Sequence, residues 1–173
     1  IIPEITISSE SPLNLFGVSV SAAGDVNGDG FSDVIVGAER YSSNTGRAYI
    51  YFGGEILNNI PDVTLTGEAA GIYFGSSVSL AGDVNGDGFS DVIVGAPNYN
   101  TNTGRAYLYY GGASMNNIAD GVMTGEAANN YFGLSVATAS DVNGDGFSDW
   151  IVGAKGYSTY AGRSYLYYGS ASM

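Results

Sequence analysis

The chain has 173 residues, 45% of them hydrophobic, which is enough apolar material for a buried core and excludes a disordered chain. Seventeen acidic residues against five Lys and Arg give a formal net charge of −12, which excludes nucleic-acid binding because few cations could neutralise phosphates. The chain contains no His or Cys, which excludes catalytic triads and thiol chemistry, and no apolar run long enough to enter a membrane.

The predicted elements follow a repeat of 58 residues. Phe16-Gly17 recurs as Phe74-Gly75 and Phe132-Gly133, and residues 16–54 differ from residues 74–112 at eight of 39 positions. A period kept this strictly, without insertions, is typical of repeat architectures. The near-identity of the units leaves open whether they arose by recent duplication or were engineered.

Each unit is predicted to contain four strands. Around Phe74-Gly75 the first three strands are predicted at residues 77–81, 91–96 and 105–110, after the pair. The fourth strand of a unit is represented by residues 62–66, which lie just before the pair. These runs are short, β-branched or aromatic, and bounded by Gly, Asn and Asp, whereas helical periodicity is absent. Two of the four are apolar on both faces, which predicts packing on both sides, as in the stacked blades of a β-propeller. The sequence therefore predicts an all-β propeller with three four-stranded blades per chain.

The predicted organisation is a single repeat domain over residues 1–173. Residues 14–71, 72–129 and 130–173 form the three blades, of which the last lacks its outer strand, while residues 1–13 form an outer strand with no blade in front of it. Three blades enclose an axis poorly, so we expect a head-to-tail homodimer in which exchanged N-terminal strands close a six-bladed ring. A fragment of a longer propeller and a nine-bladed trimer remain alternatives.

An identical nine-residue loop, first seen at 25–33, follows the first predicted strand of every unit. It places oxygen-bearing side chains at positions 1, 3, 5 and 9, and its Gly at position 6 permits a sharp turn. With a backbone carbonyl from position 7, these are hard oxygen donors that suit Ca²⁺, whereas softer metals favour His or Cys. A metal-free Asx-rich turn is the alternative, but it does not need three mutually repelling carboxylates. The sequence predicts three Ca²⁺ per chain, held by Asp25, Asn27, Asp29, Phe31, Asp33, Asp83, Asn85, Asp87, Phe89, Asp91, Asp141, Asn143, Asp145, Phe147 and Asp149.

These motifs together resemble the FG-GAP repeat, which builds the β-propeller of integrin α subunits and of many bacterial extracellular proteins. The resemblance rests on Phe16-Gly17, the loop at 25–33, Val36-Gly37-Ala38 and Gly46-Arg47-Ala48-Tyr49 with their counterparts, and it covers essentially the whole chain. It implies that the matching loop positions bind Ca²⁺. Because Ca²⁺ sites of extracellular modules are weak and fill where calcium is plentiful, we expect the protein to be extracellular or on the cell surface, although no signal-peptide pattern is present at Ile1. The family's Gly-Ala-Pro is complete only at residues 95–97, and integrin-type propellers have seven blades.

Other recurring residues are expected to be structural. One Arg per blade should pair with a neighbouring acid at a hairpin, or else bind a carboxylate ligand; these are Arg47, Arg105 and Arg163. Tyrosines such as Tyr49 and Tyr51 should pack, with a carbohydrate-stacking platform as the alternative. Trp150, which replaces a Val of the other units, should be a bulkier packing residue. The variable stretch 39–43 and its counterparts form the best candidate recognition surface.

The expected function is that of a calcium-binding propeller acting as a binding or scaffold module, of the adhesion type, with an unidentified protein or carbohydrate ligand. We expect no enzymatic activity, because the clustered acids are already assigned to metal. A lectin and a self-assembling propeller with no ligand beyond calcium are the alternatives.

Overall fold

The computed structural model of the chain describes residues 5–9, 11–56 and 58–173, which form three antiparallel sheets. The first blade holds β1 (Phe16–Gly24), β2 (Asp33–Ala38), β3 (Arg47–Tyr51) and β4 (Val63–Thr66). The second holds β5 (Ser77–Gly82), β6 (Asp91–Ala96), β7 (Arg105–Tyr109) and β8 (Gly121–Thr124). The third holds β9 (Phe132–Ser140), β10 (Asp149–Ala154) and β11 (Arg163–Tyr167). The protein is thus all-β, and its sheets form part of a β-propeller.

Each blade is a meander in which consecutive strands pair. The register repeats from blade to blade: Val36 lies opposite Tyr49 in the first and Val94 opposite Tyr107 in the second. Such cross-strand pairs of a β-branched and an aromatic side chain stabilise a sheet. The sequence repeat is therefore a repeat of hydrogen-bond register as well.

The blades stack face to face, and the packed core lies between them. Ile35, Ile50 and Leu65 of the first blade share a cluster with Val92 and Val94 of the second, and these five residues are fully buried. On the opposite face of the second blade, Ile93 and Leu108 pack against Trp150 and Val152. The second blade is therefore packed on both faces, as its apolar strands predict.

The connection between the second and third strands of each blade is a short left-handed turn that the sequence analysis did not foresee. The turns are α1 (Tyr41–Asn44), α2 (Tyr99–Asn102) and α3 (Tyr157–Tyr160). Their last three residues have positive φ, for example 41° at Asn100 and 55° at Thr101. L-residues adopt this region at a cost, and β-branched ones do so least readily.

Replacing Thr101 by Gly is expected to raise the free energy of unfolding by roughly 0.5–1 kcal/mol, because relief of the left-handed strain exceeds the entropy that Gly adds to the unfolded chain. The Thr101 side chain is exposed, so its removal costs little packing. Urea denaturation measures the change. Thr66→Gly, at an exposed position of β4 with ordinary strand φ, is the control and should destabilise; a loss of stability in both variants would contradict the prediction.

The N-terminal segment follows the sequence expectation only in part. The predicted outer strand spans residues 1–13, of which 1–4 and 10 lie outside the described residues, and residues 5–9 are not in a strand. Ile7 packs on the outer face of the first blade beside Tyr49 and Tyr51. A strand needs a hydrogen-bonded neighbour, and this segment lies on a face rather than along an edge of the first sheet. Within the described part of the chain, no helix has the length and apolarity needed to cross a bilayer.

Candidate metal-binding loops

The first loop folds around the carboxylate of Asp25. Its Oδ1 accepts hydrogen bonds from the N–H groups of Gly28 (2.7 Å) and Asp29 (3.1 Å), and its Oδ2 accepts one from Gly30 (2.9 Å). Gly28 and Gly30 have φ values of 79° and 89°, a region that favours glycine. The same three bonds recur around Asp83 and Asp141. The glycines therefore wrap the loop backbone around its first acidic residue.

Positions 3 and 5 join the same network. Asn27 Nδ2 donates to Asp29 Oδ2 (2.9 Å), and the Asp29 N–H donates to Asn27 Oδ1 (2.9 Å). The N–H of Phe31 donates to Asp29 Oδ1 (2.9 Å). The equivalent bonds recur in the other loops at Asn85, Asp87, Phe89, Asn143, Asp145 and Phe147. Three of the four predicted side-chain ligands are thus brought together in every loop.

The aspartate at position 9 has a different environment. Asp33 is 1% exposed, its Oδ2 accepts the N–H of Val26 (2.8 Å), and its Oδ1 accepts the N–H of Gly53 (2.7 Å), just after β3. Asp91 and Asp149 make the same pair of bonds in their blades. This residue anchors the loop to the end of the third strand, a role that the sequence analysis missed because it assigned the residue to metal alone.

Burial makes the charge of the anchoring carboxylates of Asp33 and Asp91 costly. It raises the pKa of Asp91 to about 7, although the N–H groups of Val84 and Gly111 oppose the shift, and repulsion from Asp87 and Asp83 adds to it. The pKa of Asp33 is raised for the same reasons, burial first. In the third loop the N–H of Gly146 leads the hydrogen bonds that lower the pKa of Asp141. Each loop thus concentrates negative charge beside a buried carboxylate.

Among the described residues, no three acidic side chains form a group that could hold a metal ion. In the first loop the carboxylate of Asp33 binds the N–H groups of Val26 and Gly53, whereas Asp25 and Asp29 belong to the network of the turn. The donor chemistry nevertheless fits a hard cation. A carboxylate offers about four acceptor sites, of which Asp25 uses three and Asp29 and Asp33 two each.

Neighbouring loops contact each other across the blade boundary. The N–H of Ser90 in the second loop donates to the carbonyl of Asp25 in the first (2.9 Å), and the N–H of Ser148 donates likewise to Asp83 (2.9 Å). The ring of Phe89 covers Gly28 so closely that a Cβ there would lie 2.4 Å from it. The three loops therefore form a continuous row along one edge of the blade stack.

Two of the three recurring arginines, Arg105 and Arg163, pair with acids as predicted, and these pairs join adjacent blades. Arg105 Nη1 bonds Glu68, which follows β4 of the preceding blade, and Arg163 bonds Glu126 at 3.0 Å. Each guanidinium also lies over a tyrosine ring of the left-handed turn, 3.6 Å from the centroid in the case of Arg105 and Tyr99. Arg47 lies over its turn tyrosine in the same way, 3.6 Å from the ring centroid.

The aromatic residues singled out from the sequence are packing residues. Tyr49 and Tyr51 are each 2% exposed, which leaves no ring face for stacking a sugar. Trp150 is 3% exposed, stacks on Tyr167 with centroids 5.5 Å apart, and its indole N–H donates to Met123 Sδ at 3.2 Å.

Comparison with known proteins places this arrangement in a family. The FG-GAP repeat model matches residues 16–51, 74–109 and 132–167, which contain the three loops. The chain is 33% identical to integrin alpha-5 of Xenopus laevis over 96% of its length and 35% identical to integrin alpha-7 of Homo sapiens over 89%. It spans only 17% and 13% of those two relatives. On the match of three successive repeats, the chain belongs to the FG-GAP repeat family and is integrin-α-like.

Proposed function

We propose that the protein is a calcium-stabilised propeller module that serves as a binding or scaffold domain of the adhesion type, outside the cell or at its surface. The observation that carries this proposal is the row of three identical oxygen-rich loops, each with the same internal hydrogen bonds and each in contact with the next. Similarity to integrin α subunits supports the adhesion-like role. The module would present a surface for a partner and would itself perform no chemistry.

Each loop would hold one Ca²⁺, three per chain. In the first loop the ligands would be the side chains of Asp25, Asn27, Asp29 and Asp33 with the carbonyl oxygen of Phe31, and the second and third loops would use their counterparts. A bound divalent cation supplies positive charge that offsets the repulsion among three carboxylates. The residues at positions 1, 3 and 5 are already held together by the turn, so binding would require movement mainly of the carboxylate at position 9.

Calcium is expected to raise the thermal midpoint of the protein by several degrees or more, since a ligand that binds only the folded state stabilises it by mass action. Thermal unfolding is followed in millimolar Ca²⁺, in equal Mg²⁺ and in chelator, and equilibrium dialysis counts the bound ions. We expect three ions per chain, with Ca²⁺ stabilising more than Mg²⁺.

The triple variant Asp29→Ala, Asp87→Ala and Asp145→Ala removes position 5 from every loop and should lose both the bound ions and the stabilisation. A matched triple variant at the variable positions Ser42, Asn100 and Ser158, each changed to Ala, should retain both. Identical melting curves of the unaltered protein in calcium and in chelator would contradict the proposal.

We also propose that the module closes as a six-bladed ring of two chains. Apolar side chains are exposed on the terminal blades, among them Val20 of the first (67% exposed) and Val142 of the third (52% exposed). Exposed apolar faces on blade-like sheets favour association, and a twofold head-to-tail ring would cover both.

A further inference from the structure

Inside the chain, the second and third Phe-Gly turns dock into the preceding blade. Phe74 forms a parallel bridge with Gly46, and Phe132 forms the same bridge with Gly104. A Cβ on Gly37 would lie 2.0 Å from the carbonyl oxygen of Gly75, so only glycine permits this approach. The docked rings are fully enclosed: Phe74 is 0% and Phe132 1% exposed.

The third blade carries the same docking site without a turn in it. A cavity of about 420 Å³ is lined by Gly153, Gly162 and Arg163, the counterparts of Gly95, Gly104 and Arg105. We call this cavity the third-blade socket. Within the described residues Gly162 has a single neighbour for an added Cβ, the carbonyl oxygen of Lys155 at 3.8 Å.

The face of the third blade that carries the socket has apolar residues that are exposed where their counterparts in the second blade are buried. Val84 is 0% exposed, whereas its counterpart Val142 is 52% exposed. Leu108 is 1% exposed and its counterpart Leu166 is 44% exposed. Gly144, unlike its counterpart Gly86 beneath the ring of Phe147, has no atom within 4 Å of an added Cβ.

The first blade presents the complementary half of the same interface. Val78 is 5% exposed in the second blade, whereas its counterpart Val20 is 67% exposed. Phe31, the counterpart of the loop rings that cover Gly28 and Gly86, is 45% exposed. Gly17 has no atom within 4 Å of an added Cβ, although its counterpart Gly75 is pressed against the carbonyl of Arg47.

We propose that a second copy of this chain docks its Phe16-Gly17 turn into the third-blade socket and, in doing so, completes the third loop. Phe31 of the second copy would cover Gly144, as Phe89 covers Gly28, and the N–H of Ser32 would donate to the carbonyl of Asp141, as Ser90 donates to Asp25. The occupant is a second copy because the chain buries these same surfaces against each other twice internally, so the new contact continues an established interface. The inference rests on the proposed ring and names the surfaces that would form it.

The outer edge of β11 fits the N-terminal segment in the same way. In the first blade β4 pairs with β3 so that Leu65 lies opposite Ala48, and in the second Met123 lies opposite Ala106. The same register would place Ile7 of the second copy opposite Ser164. Leu65 packs in one cluster with Phe74, Tyr107 and Tyr109 of the second blade. Ile7, the counterpart of Leu65, packs in the same way beside Phe16, Tyr49 and Tyr51 of the first blade.

Light scattering of four proteins tests the interface. The unaltered chain is expected at twice its mass of 17.8 kDa. Leu166→Glu changes the exposed face of the third blade, and Val20→Glu changes the exposed face of the first blade. Each variant should shift the measured mass to that of one chain. Mixing these two variants should restore a dimer, because one intact interface can form between them. Ile118→Glu is the control: Ile118 is 70% and its counterpart Ile60 69% exposed, so this variant should stay dimeric.

A cysteine pair tests the register, since the chain has no cysteine of its own. Chains carrying Ile7→Cys, mixed with chains carrying Ser164→Cys, should oxidise to a covalent dimer, whereas Ile7→Cys with Leu166→Cys, two residues out of register, should not. Head-to-tail oligomers longer than two chains that still cross-link would uphold the socket and overturn the six-bladed ring. A monomeric, unlinked chain, or a dimer that survives Leu166→Glu, would overturn the proposed docking.

Discussion

Gly104→Ala is expected to lower the free energy of unfolding by more than ~3 kcal/mol or to prevent folding, as overpacking against fixed backbone does. A Cβ on Gly104 would lie 2.1 Å from the oxygen and 2.4 Å from the nitrogen of Phe132, both backbone atoms. Neither atom can move without shifting the Phe-Gly turn that joins the second and third blades. Urea denaturation in calcium-containing buffer measures the loss.

The matched control is Gly71→Ala. Gly71 has a φ of 78°, close to the 85° of Gly104, but no atom lies within 4 Å of an added Cβ. The variant should therefore lose only the ~1 kcal/mol of stability that a left-handed Ala costs. Equal losses in the two variants would show that backbone strain, and not the contact between blades, makes Gly104 necessary.

Asp91→Ala is expected to destabilise the protein by roughly 2–4 kcal/mol even in chelator, because it leaves two backbone N–H groups without an acceptor. These are the N–H groups of Val84 and Gly111, which donate to Asp91 at 2.8 and 2.9 Å in the interior of the second blade. Chemical denaturation at pH 8, where the carboxyl group of pKa about 7 is mostly ionised, measures the effect.

Asp87→Ala separates this anchoring role from metal binding. Asp87 accepts the N–H of Phe89 at an exposed position, where water can replace it, so its loss in chelator should stay within about 1 kcal/mol. In calcium both variants should lose the stabilisation that one bound ion provides. Equal stability of the two variants in chelator would show that the buried hydrogen bonds of Asp91 do not contribute to the free energy of unfolding.

The sequence predicted the strands well because each unit shows the same short β-branched or aromatic runs between turn residues at a fixed spacing. The β-branched run of β6 is bounded by Asp91 and Ala96 in the structure, as in the sequence analysis, and β7 ends at Tyr109, one residue earlier than expected. Apolar side chains at consecutive positions, in place of an apolar–polar alternation, predicted burial on both faces, which Ile93 and Val94 show on opposite sides of one strand.

What the sequence could not predict depends on contacts that cross from one strand or blade to another. Nothing in the loop motif distinguishes Asp33 from Asp25, because the bond from Gly53 comes from 20 residues further along the chain. The left-handed turn at Thr101 could not be predicted because its residues, Tyr99–Asn102, include no glycine, the residue that usually indicates positive φ. Both features result from tertiary structure overriding local preference.

The meander topology has a consequence for how the molecule gains and loses its structure. Among the described residues, every sheet pairs strands that are consecutive in sequence, and the cores between blades join immediate neighbours. Cooperativity is therefore carried from blade to blade like a one-dimensional chain of coupled units. In a single chain the middle blade has two such couplings and each end blade has one, so local opening of an isolated chain should start at its ends and reach β6 last, whereas the proposed ring would give every blade two couplings.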